Sequence, residues 1–572
     1  MRPERRRAAL GIVAALLICA SVLFGTGTPL GAGVAEAAPA EFCLPPLVKC
    51  AAPASTGPEA DVNVTGFAFP DNPVGEPVKG LFQSHNHEFS YAGFGQGPFC
   101  GKTFDPAGVT KAMVDCPEHN PAGIPAWFEQ LSSGQLPLTP HDTRGWPTFK
   151  DWPKPTSQMH NQTYYKGLER LWRSGARVYV NDATTNRGLC MIYTTIRSAC
   201  DDMSNIRRIN QETRGLQAYI DQQYGGPGKG WYRIVESPAQ ARQVISEGKL
   251  AVIMGIEASE PFGCGRTLDA PNCTTADIDK GLDEMHAAGV RSMFLCHKYD
   301  NALCGVRYDS GATGAVVNIG NFLTTGQFWQ AQTCTGPRHD NTIAISDPAI
   351  LTTLLANVTS ILKPITLPVY PAGPHCNPIG LSNLGEYLLK GLMKRGMIVE
   401  VDHMSVKAAD QALTVLEAAR YPGVISSHSW MDTGYNQRVL ALGGMITPIL
   451  LDPKSTLTAW KETRAAAPSD RPFAYGYGSD LNGLHTGLPR PGSSPMTYPF
   501  TSLDGQATLD RQVWGERTWD LNKDGLAQEG MVPDWIDSVR AAAGPDADRF
   551  VEDMTNGAEA YLRMWEAAEG TA

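Results

Sequence analysis

Eight short apolar runs, most of them ending in a polar cluster, constrain this chain more than any other feature of it. Gly80–Phe82 leads into Ser84-His85-Asn86-His87, and Ala176–Val180 into Asn181-Asp182-Ala183-Thr184. Leu250–Ile256 leads into Glu257, Val290–Leu295 into Cys296-His297, and Met397–Val401 into Asp402-His403. Val424–Ser427 leads into His428-Ser429, Gly444–Pro448 is a seventh run, and Phe473–Gly478 leads into Ser479-Asp480. Their interiors are continuously apolar rather than alternating, as strands covered on both faces must be. Segments of helical period lie between them, among them 277–288 and 383–395, with turns at Ala288-Gly289 and Arg395-Gly396. Repeated strand–helix–strand units predict an α/β fold, one (β/α)₈ TIM-type barrel.

The spacing of the runs is uneven. The stretches 88–160, 187–245 and 301–380 exceed simple βα connections and are expected as long βα-loop insertions over the C-terminal mouth, where such barrels place their sites. The expected organisation is a signal peptide over 1–37, an Ala/Pro-rich arm over 38–77, a barrel over 78–506 and a helical extension over 507–572. The signal rests on Arg2, Arg5, Arg6 and Arg7, an apolar stretch from Ala8 to Phe24, and Ala35-Glu36-Ala37 as the cleavage site. No later stretch reaches the length of a membrane span. A secreted, periplasmic or cell-envelope location follows as an expectation.

Export bears on the cysteines. Of 13, one lies in the signal, leaving an even number in an oxidising compartment, where disulfides form. Sequential pairing is expected: Cys43–Cys50, Cys100–Cys116, Cys190–Cys200, Cys264–Cys273, Cys296–Cys304 and Cys334–Cys376. The chain lacks a CxxC motif, which argues against a thiolate zinc site. A net charge of −10, with no basic stripe, argues against nucleic-acid binding.

The polar residues at the run ends carry the chemistry. His85 and His87 stand at i and i+2, so on an extended strand both imidazoles face one side. Glu257, His403, His428 and Asp480 close other strands, and in a barrel those ends converge on one mouth. Imidazole and carboxylate suit zinc, and also manganese, iron or cobalt. Six candidate ligands exceed the needs of one tetrahedral ion, so two divalent metal ions, with zinc the leading choice, are expected, and Glu257 is expected to bridge them. Asp520-Leu521-Asn522-Lys523-Asp524-Gly525 opens like a calcium loop, but Met531 stands where such a loop needs a bidentate Glu. A structural turn is the preferred reading there.

Ser84-His85-Asn86-His87, Gly255-Ile256-Glu257, Gly289-Val290-Arg291 with His297, Val401-Asp402-His403-Met404-Ser405, Ser427-His428-Ser429 and Gly478-Ser479-Asp480-Leu481-Asn482-Gly483 occur in that order. Together they resemble the membrane dipeptidase (renal dipeptidase-like) family of the amidohydrolase superfamily. The segment Asn377–Gly385 also resembles that family's lead into its fifth strand, and the likeness spans roughly residues 80–485. The resemblance implies His85 and His87 on one metal, Glu257 bridging, and His403 and His428 on the other. It implies His297 as the histidine contacting substrate or the oxyanion, Asp480 as the carboxylate handling the water's proton, and Arg438 as the binder of the substrate carboxylate. Dipeptidases proper carry HxD at the first strand, where this chain has HxH.

The leading functional reading is an exported binuclear metal-dependent hydrolase cutting an amide of a small substrate, a dipeptide first among them. Hydrolysis of an ester, lactone or acyl-amino acid is the second reading. An inactive barrel serving as a binding or envelope protein is the third.

Overall fold

The eight apolar runs form eight parallel strands. In the computed structural model these are β1 (Leu81–His85), β2 (Ala176–Thr185), β3 (Leu250–Ala258), β4 (Val290–Phe294), β5 (Ile398–Glu400), β6 (Val424–Ser426), β7 (Met445–Ile446) and β8 (Tyr477–Gly478). The structure describes residues 59–116, 129, 148–149, 153–193, 196–343, 368–485 and 487–571. The expected signal peptide, the Cys43–Cys50 pair and much of the N-terminal arm lie outside the described residues.

Strands β1 to β7 pair in chain order, and β8 pairs with β1. A parallel bridge between Ile449 and Gly478 joins the β7 side to β8, with the Gly478 N–H donating to the Pro448 carbonyl across 3.0 Å. The sheet is thereby closed into a barrel. Every residue of β1, β2 and β3 is buried. Burial on both faces is why these runs read as continuously apolar.

Helices separate the strands: α1 (Tyr165–Arg173), α2 (Asp202–Gln223), α3 (Pro238–Ser246), α4 (Thr275–Ala287), α5 (Gly311–Thr325), α6 (Asn383–Met393), α7 (Val406–Ala419), α8 (Asn436–Leu442) and α9 (Pro453–Ala466). Helix α4 shows the local logic. Thr274 and Asp277 form a reciprocal capping box, and Ile278, Gly281, Leu282 and Met285 make one buried face at helical spacing. Ser382 and Ser405 cap α6 and α7 through their side-chain oxygens.

One expected insertion is largely scaffold. Within 187–245, α2 is capped by Asp201 and buries Ile206, Ile209, Leu216 and Ile220, while α3 packs against β3. Two outer helices, rather than a mouth loop, account for most of that length. The expected disulfides within the described residues are all formed: Cys100–Cys116, Cys190–Cys200, Cys264–Cys273, Cys296–Cys304 and Cys334–Cys376.

The last helices of the chain pack at the start of β1, where the Gly80 N–H donates to the Thr555 carbonyl across 2.9 Å. Phe500–Thr501 and Ala507–Leu509 form an antiparallel sheet with Val64–Gly66, across the expected boundary at 506. Helices α10 (Val532–Ala542), α11 (Ala547–Thr555) and α12 (Gly557–Thr571) follow. Tyr561 of α12 packs on Phe82 of β1, with ring centroids 4.5 Å apart. The calcium-like segment is a capped turn. Arg511 donates to Asp520 across 2.8 Å and Arg517 to Asp524 across 2.8 Å. Guanidinium groups thus occupy the carboxylates a calcium ion would need.

Candidate metal centre

The C-terminal ends of the strands bring His85, His87, Glu257, His297, His403, His428 and Asp480 into one group, buried except for the partly exposed Asp480. His87 Nε2 stands 3.3 Å from Glu257 Oε2 and 3.1 Å from Asp480 Oδ1. On the other side of the same carboxylate, His403 Nε2 stands 3.1 Å and His428 Nε2 4.0 Å from Glu257 Oε1. His85 Nε2 is 3.8 Å from Glu257 Oε1 and 3.7 Å from Asp480 Oδ1. Two ligand-like triads result, His85/His87/Glu257 and Glu257/His403/His428, with Glu257 common to both.

Parallel pairing explains the convergence. The β2–β3 register sets Thr184 beside Glu257, and the β1–β8 register sets His85 beside Gly478. A Cβ on Gly478 would lie 2.2 Å from the Ser427 carbonyl and 3.0 Å from the Cβ atoms of both His85 and His428. Only glycine lets these strand ends approach. His403 and Asp480 hold left-handed backbones, at φ 65° and 49°. That conformation is costly for residues with a Cβ and concentrates at functional sites.

Partners behind the rings fix which nitrogen faces the centre. His85 Nδ1 lies 2.9 Å from Asp182 Oδ2, and His87 Nδ1 lies 2.8 Å from the Asp182 carbonyl. His428 Nδ1 faces Asp402 Oδ2 at 3.3 Å, and Asp402 itself accepts from the Ser426 hydroxyl and the His428 N–H. A proton on each Nδ1, toward its acceptor, leaves the Nε2 lone pair directed inward, the tautomer a metal-bound histidine needs.

The donor set fits divalent metal. His85 Nε2, His87 Nε2 and Glu257 Oε1 are buried and make no hydrogen bond. His403 Nε2 and His428 Nε2 approach to 2.9 Å, a contact between two lone pairs unless one is protonated or both face a cation. Buried polar groups left unpartnered are costly, and a cation shared by these atoms removes the cost. A third group, Cys100, Cys116 and His160, has ligand-like spacing, but its cysteines are bonded to each other and supply no thiolate.

Electrostatics of the metal-free group follow from the same geometry. Burial opposes ionisation of Asp480 and Glu257, yet the surrounding histidines overcome it and hold both carboxyl groups well below the usual range. Burial and the charge of His85 depress His87, but Asp480 and Glu257 together raise it to about 9. Burial drives His297 and His428 well below the ordinary value, and His403 below it.

Above the group lies a cavity of about 160 Å³, lined by His297, His403, His428 and Asp480, with Lys298, Asp309 and Trp430 on its wall. His485, which the sequence places only as a near neighbour of Asp480, also lines it. Arg438 does not. It sits on the outer helix α8 and pairs with Glu417 at 2.6 Å and Asp410 at 2.8 Å on α7. Those carboxylates hold its guanidinium on the outer helical layer, so the expected role in substrate binding is corrected. Asp182 and Asp402, the carboxylates behind the rings, carry no expected role in the sequence, although both stand in the polar clusters that end their runs.

A barrel mouth carrying two histidine–carboxylate triads defines a candidate metal centre. No family profile matches the chain, and no curated protein matches it. Among solved structures, the chain is similar to an amidohydrolase from Pseudomonas aeruginosa, at 12% identity and a TM-score of 0.38, over 70% of this chain and 91% of that one. It is similar to the probable dipeptidase PvdM from Pseudomonas aeruginosa, at 16% identity and a TM-score of 0.37, over 74% and 91%. A metallo peptidase from Rhodobacter sphaeroides, liganded with a phosphinate mimic of L-Ala-D-Ala, gives 11% identity and a TM-score of 0.34, over 64% and 75%.

Proposed function

We propose that the protein is an exported, binuclear metal-dependent hydrolase that cleaves an amide bond of a small substrate, a dipeptide in the leading reading. The observation that carries it is the pair of triads sharing Glu257, with the inward Nε2 atoms of His85 and His87 unpartnered. His85 and His87 would hold one ion and His403 and His428 the other, with Glu257 available to both. Divalent ions so held lower the pKa of bound water toward neutrality and polarise a carbonyl oxygen.

The chain's own residues perform the rest. Asp480 accepts the attacking water's proton and delivers it to the leaving amine. Its Oδ1 sits 3.1 Å from His87 Nε2, beside the triad and on the cavity wall, where a water and a substrate can both be reached. His297 donates to the oxyanion that forms on the scissile carbonyl. Burial keeps its imidazole neutral, so one ring nitrogen carries a proton to donate and the other stays unprotonated. Such a donor is worth about 10²–10³ in rate.

The purified protein, loaded with zinc or manganese, is expected to release free amino acids from a panel of dipeptides and to stop when chelator is added. Metal-dependent cleavage of esters or lactones, but of no dipeptide, supports the second reading instead. A metal-loaded protein that cleaves none of these substrates contradicts the proposal.

A further inference from the structure

Two buried carboxyl groups lie next to the metal centre, and the reaction above uses neither. Glu88 follows His87 directly, Glu529 lies just ahead of α10, and both are fully buried. Glu88 accepts from the Tyr232 hydroxyl across 2.8 Å, and Glu529 from Asn86 Nδ2 across 2.5 Å. The second oxygen of each, Oε1, makes no hydrogen bond. Among the described residues, no lysine, arginine or histidine pairs with either carboxyl. Buried charges in proteins are paired or bind metal. Burial raises both groups to about 8, and the charge of Glu529 adds to the rise at Glu88, so the two lie close together.

A row of uncharged oxygens lies alongside. Gln83 on β1 is in register with Tyr477 on β8 and with Tyr179 on β2, so the three side chains share one face of the sheet. Gln83 Nε2 donates to Ser479 Oγ across 2.8 Å, and its buried Oε1 is left without a donor. The hydroxyls of Tyr179 and Tyr477 are likewise buried and make no hydrogen bond. They belong to the same cluster as the carboxyls. Burial, then the charges of Glu88 and Glu529, push Tyr179 up, and burial with the charge of Glu529 pushes Tyr477 up. Unpartnered buried oxygens are costly, and here they gather around two carboxyl groups that lack a counter-ion.

We infer that Glu88, Glu529 and Gln83 form a cation site of their own, for calcium, behind the strand end that carries His85 and His87. The site goes beyond the hydrolase reading and does not depend on it. Donor chemistry selects the ion. Carboxylate and amide oxygens suit calcium, magnesium or manganese, whereas the imidazole-rich mouth suits zinc. Magnesium keeps several of its waters, so a buried set of protein oxygens favours calcium. Two carboxylates balance the charge of the ion, which displaces the protons they keep in calcium-free protein. The ion braces the mouth, because Asn86, bonded to Glu529, stands between His85 and His87. The turn at Asp520–Gly525 takes no part, its carboxylates being held by Arg511 and Arg517.

The test adds calcium chloride to the zinc-loaded full chain and its Glu529→Gln variant, and follows equilibrium dialysis and thermal unfolding. The wild type is expected to bind about one calcium per chain beside its zinc. At calcium about a hundred times the measured Kd, its Tm is expected to rise by about 2–4 °C. Glu529→Gln, of nearly the same shape, is expected to keep its zinc and lose most of the calcium-induced rise. A wild type that binds no calcium, and whose Tm calcium leaves unmoved, overturns the inference while leaving the hydrolase reading intact. That arm needs no variant to fold. A calcium-induced rise of full size in Glu529→Gln also overturns it, because the ion then sits elsewhere.

Discussion

The Nδ1 atom of His85 lies 2.9 Å from Oδ2 of Asp182, across the neighbouring strands β1 and β2. That contact fixes the ring's tautomer and aims Nε2 at Glu257. Gly255 on β3 makes it possible, because a Cβ there would stand 1.9 Å from Asp182 Oδ1. Replacing Asp182 with Asn removes the charge behind the ring and is expected to weaken metal affinity by about 10–100-fold. Gly255→Ala should act in the same direction by displacing the carboxylate. Competition with a calibrated chelator measures both. Unchanged affinity in both variants would show that His85 needs no such support.

The proton-transfer role proposed for Asp480 predicts that binding and turnover separate there. Asp480→Asn should leave the metal content of the purified protein near that of the wild type, since His85, His87 and Glu257 remain. Its kcat should fall by about 10²–10⁴, the usual contribution of a positioned acid–base group. Near-normal turnover with full metal content would remove Asp480 from the proton-transfer role.

The Cys296–Cys304 disulfide closes the short loop that presents His297 and Lys298 to the cavity. Paired replacement by Ala should lower kcat/KM about tenfold or more, because misplacing a positioned group by an ångström is costly in rate. Metal content should be retained, as none of His85, His87, Glu257, His403 and His428 lies in that loop. Metal analysis beside steady-state kinetics reads the two effects separately, and simultaneous loss of both would mean that the disulfide supports the whole mouth.

The buried carboxyl of Glu529, bonded to Asn86, predicts a pH-dependent stability. Burial raises Glu529 to about 8, against hydrogen bonds offered by neighbours that include Asn86, whose Nδ2 donates to Oε2 across 2.5 Å. The folded state therefore holds this proton more tightly than the unfolded state, whose value is near 4.5. The stabilisation is full below that lower value and is lost as pH rises toward 8, by up to roughly 1.4 kcal/mol per pH unit. Glu529→Gln cannot ionise, so its melting temperature relative to wild type should rise steadily between pH 5 and 8. A constant difference across that range would contradict the assignment.

Much of this is legible in the sequence, for physical reasons. Strands buried on both faces must be apolar throughout, so all eight runs are visible, and a parallel barrel must gather their C-terminal residues. His85, His87, Glu257, His403, His428 and Asp480 can thus be grouped without coordinates. What sequence does not supply is the direction of side chains on helices. Arg438, ten positions after His428, lands on α8 and faces α7 rather than the mouth. The segment 187–245 reads as a mouth insertion because loop length alone does not reveal the 22-residue helix α2.

Under the proposed function, Glu257 joins two ion sites. The direct measurement is the number of divalent ions bound per chain, by elemental analysis of zinc-loaded protein after exhaustive dialysis, for the wild type and for Glu257→Ala. Two sites joined by Glu257 predict about two ions per wild-type chain and the loss of both, or of all but one weakly held, in the variant. A correctly folded wild type that binds no divalent ion, or a Glu257→Ala protein that keeps the full wild-type complement, would contradict it.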